Sequence, residues 1–116
     1  MYVGIARIVI HIPWARSLKD RRSVVRSLKD RLRARMRVSV AEVGDVESWQ
    51  IANLGVAVVA RERPRCDEAL AQAISIARSL PEAVVTDVRS EVQSFGRAGE
   101  TLRDGIESLA DEDDSP

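Results

Sequence analysis

The spacing of apolar residues changes period several times along the chain. Residues 2–12, Tyr-Val-Gly-Ile-Ala-Arg-Ile-Val-Ile-His-Ile, are rich in β-branched side chains and stop at Pro13. This predicts a strand apolar on both faces near its start, hence a central one. Alternation puts Arg7 and His11 on one face and Ile8, Ile10 and Ile12 on the other. A helical period follows. Ser17-Leu18-Lys19-Asp20 resembles a capping box with Asp in place of the usual Glu. At about 100° per residue, Leu18, Val25, Leu28, Leu32 and Met36 form one stripe that must face a core. Arg21 falls inside that stripe and, from the first turn, is expected to snorkel outward.

Residues 38–43 alternate and predict a second strand, and residues 50–61 a third, so that 38–61 forms a hairpin around Gly44-Asp45-Val46-Glu47-Ser48. Pro64 begins a second helix that ends before Pro81, with Leu70, Ala73, Ile74, Ala77 and Leu80 on its buried side. Residues 83–93 alternate again as a fourth strand, with Val84, Thr86, Val88 and Val92 sharing one face. The order β-α-β-β-α-β predicts an α+β fold, the ferredoxin-like βαββαβ sandwich. Right-handed crossovers place two helices on one face of a four-stranded antiparallel sheet. The other face is then open. Val3, Ile5, Arg7, Val9 and His11 fall on it from strand one. Ile51, Asn53, Gly55, Ala57 and Val59 come from strand three, and Val85, Asp87, Arg89 and Glu91 from strand four. Arg7 is placed to pair with Asp87 or Glu91 across neighbouring strands. An open apolar face of this kind suits an oligomer contact.

After Phe95-Gly96 the pattern fades. The folded domain is therefore expected over residues 1–95, with an acidic, flexible tail over 96–116 that includes at most a weak helix at 100–110. A chain of 116 residues, 45% of them hydrophobic, suits one such domain with a real core. No stretch is long and apolar enough for a conventional membrane-spanning helix, and Met1-Tyr2-Val3-Gly4 lacks the basic start of a secretory signal. A soluble cytoplasmic protein with no membrane association is expected.

The formal net charge of zero conceals a strong asymmetry. Residues 1–46 hold 11 basic and four acidic side chains, whereas Ala98–Pro116 holds one basic and seven acidic. Such an arrangement points to a polyanion-binding surface with an acidic tail, set against the plainer reading of a solvated helix face. On the first helix Lys19, Arg22, Arg26, Lys29 and Arg33 fall within about 80° of arc beside the apolar stripe. Arg16 and Arg37 extend this row at its ends, while Arg31 and Arg35 fall on another side. These seven residues, Arg16 to Arg37, are the candidate RNA contacts.

Catalytic chemistry finds little support. One histidine and one cysteine exclude zinc sites built from paired ligands. No nucleophile elbow, Walker A sequence or dinucleotide fingerprint is present. His11 suits packing better than base catalysis, and Cys66 suits a buried small hydrophobe better than a nucleophile. No enzyme activity, cofactor or metal is expected. Aromatic residues make up only 3% of the chain, which disfavours RNA recognition by base stacking on the sheet. Phosphate contacts from the first helix are the expected alternative. Trp14 follows strand one and Trp49 precedes strand three, so the two meet at one end of the sheet. They form either a hydrophobic cap or a partner-binding corner.

Four segments then carry a family resemblance: His11-Ile12-Pro13; Ala15-Arg16-Ser17-Leu18-Lys19-Asp20-Arg21-Arg22; Val38–Val43; and Trp49-Gln50 with Leu54–Val59. In this order and spacing they resemble the YlxP-like family of small bacterial proteins, over about residues 1–93. The resemblance implies the ferredoxin-like fold reached independently above. It also implies a gene that often neighbours those for translation initiation and ribosome maturation, and it supplies no catalytic residues. The leading expectation is a non-enzymatic accessory protein of translation or ribosome maturation that contacts ribosomal RNA or a ribosomal subunit. The alternative is a homo-oligomeric or small-effector-binding module that uses the open sheet face.

Overall fold

The computed structural model describes residues 1–44 and 48–96. The elements are β1 (Tyr2–His11), α1 (Leu18–Arg35), β2 (Ser39–Val43), β3 (Ile51–Ala60), α2 (Arg63–Arg78) and β4 (Val84–Ser94). The sheet has the order β2-β3-β1-β4, with every neighbouring pair antiparallel. This is the ferredoxin-like arrangement. β1 is central because its run of Ala6, Ile8 and Ile10 supplies the middle of the core, against Leu28 and Leu32 of α1 and Leu70, Ala73 and Ala77 of α2. The acidic segment 97–116, including the helix expected at 100–110, lies outside the described residues.

Two glycines are required by geometry. A Cβ at Gly4 would sit 3.0 Å from Val58 Cγ1, 3.1 Å from Leu70 Cδ1 and 3.2 Å from Cys66 Cβ, so α2 rests almost directly on the β1 backbone. Cys66 is fully buried in this contact. Gly44 closes β2 with φ +81°, a left-handed conformation that L side chains rarely adopt.

Three expectations need correction. Arg21 does not reach solvent. It is 2% exposed and lies under α1. Its guanidinium is drawn inward because Glu42 of β2 points into the helix layer on the same face as Val40, opposite Leu54. Leu18, by contrast, is exposed, and Val24 takes its place in the buried stripe.

The second correction concerns β4, where the register against β1 shifts between Val9 and Ile10. Val9 faces Asp87, but Ile10 faces Val85. The bulge at Thr86 turns Val85 inward with Val88 and Val92, all three packed against the core, and leaves Val84 on the open face opposite His11. Thr86 Oγ1 donates to the Val9 carbonyl at 3.4 Å. The uninterrupted alternation read from the sequence had placed Val84 and Thr86 inside and Val85 outside. The third correction is on α2, where Ile76 is buried and Ile74 is only half-buried, while Cys66 is buried as expected of a small hydrophobe.

Candidate nucleic-acid interface

α1 begins where its sequence says. Ser17 is the N-cap and accepts a hydrogen bond from the Asp20 backbone N–H at 3.1 Å. The Asp20 carboxylate reaches back to the Arg16 N–H at 2.9 Å rather than to the cap residue itself. Arg21 then fixes the rotation of the helix about its axis. Its guanidinium pairs with the Glu42 carboxylate, and its Nε donates to the Ile51 carbonyl at 3.0 Å, so one side chain ties α1 to both β2 and β3. With Arg21, Val25, Leu28 and Leu32 held inward, the outer face of α1 is determined.

That face carries a shallow hollow lined by Lys19, Arg22, Ser23, Arg26, Ser27, Asp30 and Arg31. Its lining combines the small Ser23 and Ser27 with four cations. Lys19, Arg22 and Arg26 are exposed, and none of them has an ion pair among the described residues. Asp30 is the one acid in the lining.

The remaining candidates are dispersed. Lys29 is half-buried on the same flank. The Arg33 guanidinium turns away from the row and donates to the Val40 carbonyl of the edge strand β2 at 3.1 Å. Arg16 and Arg37 are exposed just beyond the two ends of α1. Arg31, read from the sequence as lying on another side, lines the same hollow as Arg22 and Arg26, with Ser23, Ser27 and Asp30 beside them. Cations from both flanks of the helix therefore line one hollow.

Trp14 and Trp49 are each 47% exposed. Their segments meet at one end of the sheet, as the strand pairing requires. The clamp is Gln50, which the sequence marked only as part of the family pattern and gave no role. Its Nε2 donates to the Pro13 carbonyl at 3.1 Å and the Ala15 carbonyl at 3.3 Å, while its own carbonyl accepts from the Ile12 N–H at 2.7 Å. The Trp14 indole N–H donates to the Glu82 carbonyl at 2.8 Å, which ties it to the approach to β4. Trp49 enters on the β3 side.

On the open face Arg7 and Asp87 form an ion pair at 3.5 Å. Around them the face is shallow, with hollows over Ile5, Ala41, Val43, Gly55 and Ala57 on one side and over Arg7, Arg89 and Glu91 on the other. His11 is half-buried at its end. Among the described residues no cluster of three or more His, Cys, Asp or Glu is placed to hold a metal ion, and no helix is long and apolar enough to cross a membrane.

Comparison with known proteins agrees with the sequence resemblance. The chain is 30% identical over 89 residues to "Uncharacterized protein YlxP" of Bacillus subtilis (strain 168), spanning 77% of this chain and 97% of that protein. Among solved structures, the designed protein Foldit4 superposes with a TM-score of 0.49 at 8% identity, covering 84% of this chain and all of its own. The structure of Rv0793 from Mycobacterium tuberculosis superposes with a TM-score of 0.42 at 19% identity, covering 84% of this chain and 99% of its own. A family model described as "Protein of unknown function (DUF503)" matches residues 3–90. The chain belongs to the DUF503 family, with YlxP as a relative.

Proposed function

We propose that this protein is a non-enzymatic accessory factor of translation or ribosome maturation that holds structured RNA by phosphate contacts from the outer face of α1. The observation that carries the reading is the hollow on α1. Lys19, Arg22 and Arg26 stand exposed and without ion-pair partners among the described residues, and Arg31 lines the same hollow. The Arg21–Glu42 tie presents this surface in a fixed orientation. Lysine and arginine side chains aligned on a helix neutralise phosphates and position a duplex or folded strand without reading bases. The strand positions of the open face carry no Phe, Tyr or Trp, which argues for backbone contact over base stacking. The family resemblance, with its translation-linked gene neighbourhood, supports ribosomal RNA or a ribosomal subunit as the partner and the cytoplasm as the compartment.

Co-sedimentation of the full chain with ribosomal subunits tests the proposal. The wild type is expected to travel with one subunit in low salt, and Arg22→Glu combined with Arg26→Glu to remain in the supernatant. Equal retention of the two proteins would overturn it.

A further inference from the structure

We propose that the open face of the sheet packs against a second copy of this chain, giving a two-fold dimer with its helices outermost. The face is unusually apolar for a surface that meets water. Ile5 is 42% exposed, Ile51 44% and Val59 63%, and Val43 and Val84 lie on the same face. Between them lie the small residues Ala41, Gly55 and Ala57, which let another sheet approach closely.

Size and charge both identify the occupant. The four strands contain 10, 5, 10 and 11 residues. At about 3.3 Å per residue and about 4.8 Å between strands, the face measures roughly 600 Å². Two such faces together exceed the ~1,000 Å² that a specific interface needs. The charges lie on one side of the face, on β1 and β4, and they balance: Arg7 and Arg89 against Asp87 and Glu91. Arg7 is matched within the chain by Asp87 at 3.5 Å. Arg89 lies directly opposite Arg7 and has no ion pair among the described residues, and Glu91 accepts a hydrogen bond from the Gln93 side chain. One cation and one anion are thus left over, two residues apart on one strand. A partner of either net charge matches only one of them. A copy of the same face matches both, because a two-fold axis pairs each Arg89 with Glu91 of the second copy. The β2–β3 side, which carries no charged residue on this face, supplies the apolar contact.

This inference stands apart from the RNA reading, since sheet-to-sheet packing leaves both α1 hollows facing outward. Sedimentation velocity of the full chain over a wide concentration range tests it. A dimer is expected for the wild type and a monomer for Val59→Lys, with Ile5→Lys as a second variant and circular dichroism confirming that each is folded. Arg89→Glu should raise the dimer dissociation constant about tenfold. Adding Glu91→Arg should restore it, because the reciprocal pairs re-form with their signs exchanged. A wild type that stays monomeric throughout overturns the proposal, as does a dimer that survives Val59→Lys in the folded state.

Discussion

Arg21 of α1 and Glu42 of β2 form an ion pair beneath the helix, with the Arg21 side chain 3% exposed and that of Glu42 22% exposed. This pair is the hinge between the core and the candidate interface. It occupies a position that the apolar stripe would otherwise fill, and it sets which residues of α1 face outward.

Removing Glu42 takes the carboxylate away from the buried Arg21 guanidinium, whose Nε still donates to the Ile51 carbonyl. Glu42→Leu alone should therefore destabilise the protein by about 3–5 kcal/mol, read from urea unfolding. Arg21→Met combined with Glu42→Leu should recover most of that loss, since an apolar pair of similar volume is often neutral or better. The double variant should also bind RNA more weakly than its recovered stability implies, because α1 then lacks the directional tie to β2 and β3 and is oriented by its apolar stripe alone.

RNA affinity should fall as salt rises. If about five phosphates are neutralised, the logarithm of affinity should fall against the logarithm of salt with a slope near −3.5 to −4.5. Arg22→Ala and Arg26→Ala should each reduce the slope by about 0.7–0.9. Arg33→Ala should change it less, because its guanidinium is engaged by the Val40 carbonyl at 3.1 Å. The loss there should appear as reduced stability of about 1 kcal/mol. Filter binding at several salt concentrations checks the slopes, and denaturation checks the stability.

The segment 97–116 carries a strongly acidic sequence. Its deletion should raise RNA affinity at low salt, with the gain shrinking as salt increases, because a tethered acidic segment repels phosphate. Equal affinities for the full and shortened chains would leave solubility as the role of the segment.

Gly4→Val should cost about 1–3 kcal/mol by overpacking the contact between β1 and α2. The neighbours of a new Cβ, Leu70 and Cys66 among them, stand at 3.0–3.2 Å and belong to a filled core. Thermal unfolding followed by circular dichroism measures the loss.

The fold was readable because each change of apolar period marked a change of element, and because Ser17 and Pro64 sit where helices begin. The Arg7–Asp87 pair was readable too, since neighbouring strands place diagonal residues within reach. Other features depend on facts that a single segment does not contain. Arg21 looked like a stray cation until the pairing of β2 with β3 aimed Glu42 at it. The bulge at Thr86 shows no local signal, because valines stand at both 84 and 85 and either can serve as the inward residue. Arg33 left the cationic row because the Val40 carbonyl of the edge strand β2 accepts from its guanidinium, and Arg31 lines the same hollow as Arg22 and Arg26. A helical wheel records direction but not how far a long side chain reaches.

The bulge in β4 also bears on how the protein avoids lateral polymerisation. β4 is an edge strand of 11 residues, long enough to template another chain. The extra residue at Thr86 breaks its hydrogen-bonding repeat, and the Arg63 guanidinium occupies the Val92 carbonyl at 3.1 Å. At the opposite edge Arg33 does the same for Val40. Both margins of the sheet are thereby made poor templates for fibril growth, which disfavours open-ended ribbons.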